Sequence, residues 1–79
     1  MRDLKIYGTG CAKCNRLEAN AAAAAKSLDL DYHLEKITDP NSITDAGVLI
    51  TPALVVDGRI VVSGKAPSPE ELKPLLAQN

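Results

Sequence analysis

Aromatic residues are scarce. The 79-residue chain has no Trp, no Phe and only two Tyr, Tyr7 and Tyr32. It therefore lacks a base-stacking platform, and nine Lys and Arg against ten Asp and Glu leave a formal net charge of −1 with no basic excess. Nucleic acid is not an expected partner. No apolar run approaches the roughly 18–20 residues needed to span a bilayer. Met1-Arg2-Asp3-Leu4 places an acid where a secretory leader would be basic and then apolar. The expectation is a cytoplasmic chain away from membranes, and nothing in it requires more than a monomer. Cysteine is also rare, at two residues, and there is a single histidine. In a reducing compartment a lone Cys pair is more often catalytic or metal-binding than a structural disulfide.

What is abundant is small and aliphatic. Apolar residues make up 46% and charged residues 24%, interspersed throughout, so residues 1–79 read as one domain with a modest core of Leu, Ile, Val and Ala. Residues 2–7 read as a strand ended by Gly8-Thr9-Gly10. The clearest helix runs from about Cys11 to Leu28. It holds an alanine run, and Cys14, Leu17, Ala21, Ala24, Ala25 and Leu28 recur at helical spacing as one apolar stripe. Leu30 to Ile37 alternates as a second strand, with Tyr32 and Leu34 on one side and His33, Glu35 and Ile37 on the other.

The segment 39–47 opens on Asp39-Pro40, an N-cap and first-turn signal, and closes on Gly47. It reads as a short helix. Ala53–Val56 and Arg59–Val62 are joined by Asp57-Gly58, a strong hairpin signal because both turn residues tolerate positive φ. Ser68-Pro69-Glu70-Glu71 starts a last helix, with Ser68 as N-cap and an acid three residues on, so the acids here belong to capping. Pro74 falls inside that helix and is expected to kink or shorten it. The order β-α-β-α-β-β-α implies an α/β fold. Its four-stranded mixed sheet has a parallel first pair and an antiparallel hairpin, with the cysteine helix and the last helix packed against it.

The chemistry rests on Cys11-Ala12-Lys13-Cys14. Cys11 falls at the start of the helix, where unpaired N–H groups and the positive end of the helix dipole favour an anion, so its thiol deprotonates more readily than an ordinary one. Lys13 adds a little positive potential. The thiolate is the attacking species in disulfide exchange. Cys14 lies one turn further on, at the beginning of the buried stripe, and suits a shielded resolving thiol. The same pair can hold copper(I) or zinc, and Gly-Thr-Gly-Cys-Ala-Lys-Cys has a superficial likeness to the loop of heavy-metal-associated domains. Those domains end on a strand and place a methionine before the first cysteine. A four-ligand zinc site would here find only His33 besides carboxylates. His33 itself reads as a surface or packed strand residue.

A second feature is Ile50-Thr51-Pro52-Ala53, a proline directly before the hairpin, where the lost N–H is tolerated. The combination of strand, Cys-x-x-Cys helix, strand, helix, Thr-Pro, hairpin and helix resembles the thioredoxin superfamily. In particular it resembles the short thioredoxin/glutaredoxin-like proteins of the redox-active disulfide protein 2 type. The resemblance covers essentially the whole chain.

That resemblance implies that Cys11 is the nucleophile, Cys14 the resolving cysteine and Thr51-Pro52 a cis bond facing the Cys11–Cys14 disulfide. It also implies that the Thr51 backbone pairs with an extended substrate, while Gly10 lets a partner's backbone approach. The activity implied is thiol–disulfide oxidoreduction on protein disulfides. It needs no cofactor beyond the Cys pair, with a reductase or low-molecular thiol as electron donor. Tyr7, four residues before Cys11, takes the place of a frequent aromatic and could be either a site neighbour or a strand residue. Gly10 and Ala12-Lys13 replace the Trp and Gly-Pro of thioredoxins, and Lys5 stands where they bury an acid. The family's proton handling therefore does not transfer. Glutathione is not the expected direct reductant, since neither Cys-Pro-Tyr-Cys nor its flanking basic residues occur. Gly58 and Gly64 read as structural.

Overall fold

The computed structural model describes residues 2–10 and 12–77. Its elements are β1 (Arg2–Tyr7), α1 (Ala12–Ser27), β2 (Tyr32–Ile37), α2 (Pro40–Asp45), β3 (Ala53–Val56), β4 (Arg59–Ser63) and α3 (Pro69–Ala77). They form one mixed sheet in the order β2-β1-β3-β4. β1 runs parallel to β2 and antiparallel to β3, and β3 pairs antiparallel with β4. The chain thus has the α/β architecture with a four-stranded mixed sheet that its element order implies.

Strand alternation decides which residues meet which helix. Leu4 and Ile6 of β1 join Leu54, Val56 and Val62 on the face covered by α1 and α3. Against them α1 presents Leu17, Ala21, Ala24 and Ala25, and α3 presents Leu72 and Leu76, all fully buried. The small alanine side chains let α1 lie close to the sheet and to α3, its principal helical neighbour. The opposite face carries Tyr7, Ala53 and Val55 beneath Ile43 of α2 and Val48. That face is only partly roofed, because α2 is six residues long.

Capping follows the local signals. The Asp39 carboxylate accepts from the Ser42 N–H at 3.1 Å, and Pro40 begins α2. Ser68 and Glu71 exchange reciprocal bonds: Ser68 N–H donates to Glu71 Oε1 at 3.2 Å and Glu71 N–H to Ser68 Oγ at 3.3 Å. In the hairpin, Val55 pairs with Ile60 and Leu54 with Val62, so Val61 is the extra residue of a bulge that no turn or composition signal announces.

Pro74 does not cut α3 short; the helix continues to Ala77. The N–H it lacks would have bonded the carbonyl of Glu70, an exposed residue of the first turn where water can satisfy that oxygen. Leu72 and Leu76, on either side of Pro74, hold the helix to the core.

Candidate functional site

Three segments converge at one end of the sheet: the residues after β1, the first turn of α1 and the loop leading into β3. Cys14 is fully buried at the start of the apolar stripe of α1. Its sulfur packs over Gly8, so closely that a β-carbon on Gly8 would overlap it, and the Pro52 α-carbon lies 3.9 Å from that same β-carbon position. Gly8 prolongs the β1–β2 ladder by donating its N–H to the Ile37 carbonyl at 3.0 Å. Cys11 lies outside the described residues. The two that follow it, Ala12 and Lys13, are exposed, and the first turn of α1 holds no acid to offset the positive end of the helix.

The Thr51–Pro52 peptide bond is cis. Pro52 is buried and Thr51 exposed. The preceding Leu49 and Ile50 are 95% and 60% exposed, so the loop offers apolar side chains to solvent beside the site. Its backbone is fastened to β4 and the residue after it. Ser63 Oγ donates to the Ile50 carbonyl at 3.1 Å, and the Gly64 N–H donates to the Pro52 carbonyl at 2.7 Å. Gly10 adopts φ +87°, a region that favours glycine, and its α-carbon faces open space.

A polar tie holds the other side of α1. Lys36, on edge strand β2, donates to Asn15 Oδ1 at 2.6 Å and stands 3.7 Å from the Glu18 carboxylate. Asn15 directly follows Cys14, so this contact anchors the helix turn that carries the buried thiol.

The remaining sequence candidates lie elsewhere. Tyr7 is a core residue of the α2 face, packed with Ile43, Val48, Ala53 and Val55, which resolves its role in favour of packing. Lys5 is half-buried on the same face, beside Glu35 in register on β2, and lines a shallow cleft with Asp3, Val55 and Ile60. The row Leu4, Ile6, Gly8 points to α1 instead. His33 is exposed on the edge strand. Gly8, Gly64 and Lys36 are the site neighbours that sequence reasoning missed as such. For Gly8 a signal existed, since alternation places it third in the row that faces α1.

A βαβ unit followed by a hairpin and helix, with a buried cysteine over the end of β1 and a cis-proline leading into β3, defines the thioredoxin-like class. A family model described as a thioredoxin domain matches residues 2–77. Over 77 residues the chain is 44% identical to a thioredoxin of Methanothermobacter thermautotrophicus, covering 98% of this chain and 100% of that protein. It is 43% identical over 70 residues to a thioredoxin of Methanocaldococcus jannaschii, covering 89% and 80% respectively. The chain belongs to the thioredoxin family and is a thioredoxin-like redox protein. No helix among the described residues is long and apolar enough to cross a membrane.

Proposed function

We propose that this protein is a thiol–disulfide oxidoreductase that reduces protein disulfides with the dithiol Cys11–Cys14. The observation that carries the reading is the placement of Cys14. It is three residues after Cys11 in sequence, fully buried, and packed over Gly8, whose β-carbon position also lies 3.9 Å from the α-carbon of cis-Pro52. Such a thiol is shielded from bulk partners, yet only three residues along the chain from Cys11.

In the proposed cycle the Cys11 thiolate attacks one sulfur of the substrate disulfide. A Cys11–substrate bond forms, the substrate S–S bond breaks, and the departing thiolate takes a proton. Cys14, having lost its proton, then attacks the Cys11 sulfur. The Cys11–Cys14 bond forms and the second substrate thiolate leaves and is protonated. The substrate gains two electrons and two protons, and the protein is left oxidised. A disulfide reductase or a low-molecular thiol restores the dithiol, and no other cofactor takes part.

The exposed Thr51 backbone pairs with an extended substrate segment, Pro52 faces the sulfurs, and Gly10 leaves room for the substrate backbone. A reducing cytoplasm suits this direction of exchange. The test is dithiothreitol-driven reduction of insulin. Wild type should accelerate it, Cys11→Ser should abolish the acceleration, and Cys14→Ser should accumulate a mixed disulfide. An inert wild type that instead holds copper(I) or zinc stoichiometrically through both cysteines would overturn the reading.

A further inference from the structure

We propose that Gly8 is a positioning residue for the resolving thiol: its missing side chain makes the pocket into which the Cys14 sulfur fits. The inference rests on the redox reading above for its consequence, and on packing alone for its geometry. Alternation along β1 directs Leu4 and Ile6 to the α1 face, where both are fully buried. Position 8 is next in that row, and a side chain there would extend into the space that Cys14 occupies. A β-carbon on Gly8 would overlap Cys14 Sγ and lie 3.1 Å from Cys14 Cβ.

The backbone does not demand glycine at this position. The positive-φ glycines are Gly10, Gly47, Gly58 and Gly64, and Gly8 is not among them. Its N–H makes an ordinary ladder bond to Ile37 that any residue except proline could make. The requirement is therefore spatial, and the atom that sets it is sulfur. Interiors this closely packed do not absorb an added methyl without displacement. The Pro52 α-carbon lies 3.9 Å from the same β-carbon position, so an added methyl would also sit against the cis-proline loop, and the sulfur would have to shift from its seat over Gly8. Resolution needs that seat. The Cys14 thiolate attacks the Cys11 sulfur, the Cys11–partner bond breaks, and its electron pair leaves on the partner sulfur, which is then protonated. A displaced Cys14 is more open to solvent and worse placed for that attack.

Two measurements test this, both independent of turnover. In a Cys11→Ser background Cys14 is the single thiol, and its alkylation by iodoacetamide reports its shielding. Adding Gly8→Ala should speed alkylation roughly tenfold, as lowering a local opening free energy by about 1.4 kcal/mol would do. A double-mutant cycle in urea supplies the second. Gly8→Ala should shift the unfolding equilibrium roughly tenfold more with Cys14 present than in Cys14→Ala, where only the 3.1 Å contact remains.

Unchanged alkylation, or equal shifts in the two backgrounds, overturns the assignment. If Gly8→Ala fails to fold while Gly8→Ala/Cys14→Ala folds, the sulfur is the obstacle and the assignment stands. If neither folds, it falls. In the wild-type Cys pair, Gly8→Ala should also prolong the mixed disulfide with insulin, a readout that a merely destabilised but correctly seated thiol would not move. Wild type inert toward insulin, with the coupling intact, removes the redox reading and leaves the packing assignment in place.

Discussion

The Ile50 side chain occupies the space that a β-carbon on Gly64 would need: the Ile50 Cγ2 methyl lies 2.7 Å from that position. Gly64 also has φ +76°, and its N–H holds the Pro52 carbonyl. One glycine thus fastens the cis-proline loop by its N–H and makes room for the loop's apolar side chain. Two costs attend Gly64→Ala. The left-handed conformation costs an alanine roughly 1–2 kcal/mol, and the overlap with Ile50 adds to it. Urea titration should therefore show the double variant Ile50→Ala/Gly64→Ala losing less stability than the sum of the two single changes. Equal or greater loss would mean that Ile50 does not rest on Gly64.

The hairpin turn locks the start of β1, and this lock is sensitive to acid. The Asp57 carboxylate accepts from the Asp3 N–H at 2.9 Å and from Arg2 Nη1 at 2.6 Å. The Asp3 N–H first, and then the Arg2 guanidinium, hold its pKa below the ordinary 3.8. A depressed folded-state pKa means the unfolded chain takes up this proton first as pH falls. The stabilisation is thus complete above the unfolded value and is lost as pH falls through the folded one. Asn tolerates the positive φ of 50° that Asp57 adopts, so Asp57→Asn isolates the charge. Its urea midpoint should lie below that of wild type at neutral pH, and the two should converge at pH values below 3.8. A gap that persists unchanged there would assign the effect to turn geometry.

The reciprocal bonds of Ser68 and Glu71 leave the first turn of α3 dependent on one hydroxyl. Ser68→Ala should lower stability by about 1 kcal/mol, the usual loss of an N-cap acceptor. Glu71→Gln keeps an acceptor for the Ser68 N–H and should cost less. Thermal unfolding followed by circular dichroism reads both; equal losses would contradict the reciprocal arrangement.

Pro74 is a place where the chain is less stable than it could be. A proline in a helix interior costs about 3 kcal/mol, while its restriction of the unfolded chain returns roughly 0.4–1 kcal/mol. Pro74 is exposed and its neighbours Leu72 and Leu76 already hold the helix down. Pro74→Ala should therefore raise stability by about 2 kcal/mol, visible as a higher urea midpoint at unchanged slope. A lower midpoint would show that the proline ring makes a contact worth more than the missing hydrogen bond.

Interactions within a few residues of one another were legible before any coordinates. The Asp57-Gly58 turn, the Asp39-Pro40 and Ser68–Glu71 caps and the buried stripe beginning at Cys14 depend on spacings of two to four residues, and local geometry makes those nearly independent of the rest of the fold. That α3 runs on past Pro74 to Ala77 instead of being shortened there is not written in the local sequence. The damage a proline does depends on the surroundings of the carbonyl four residues back, and Glu70 is exposed.

The amino-acid sequence by itself determined the order of elements, the shielded position of Cys14 and the place of Thr51-Pro52 before the hairpin. Only the tertiary structure decided what surrounds them. It seated the Cys14 sulfur on Gly8, set Ile50 on Gly64, tied Lys36 to Asn15 and turned Tyr7 and Lys5 to the far face. The reason is physical: a glycine's empty space matters only when another segment fills it. Residues 8 and 14, or 50 and 64, meet because sheet register and helix docking bring them together; periodicity puts Gly8 and Cys14 each on an inward face but does not pair them.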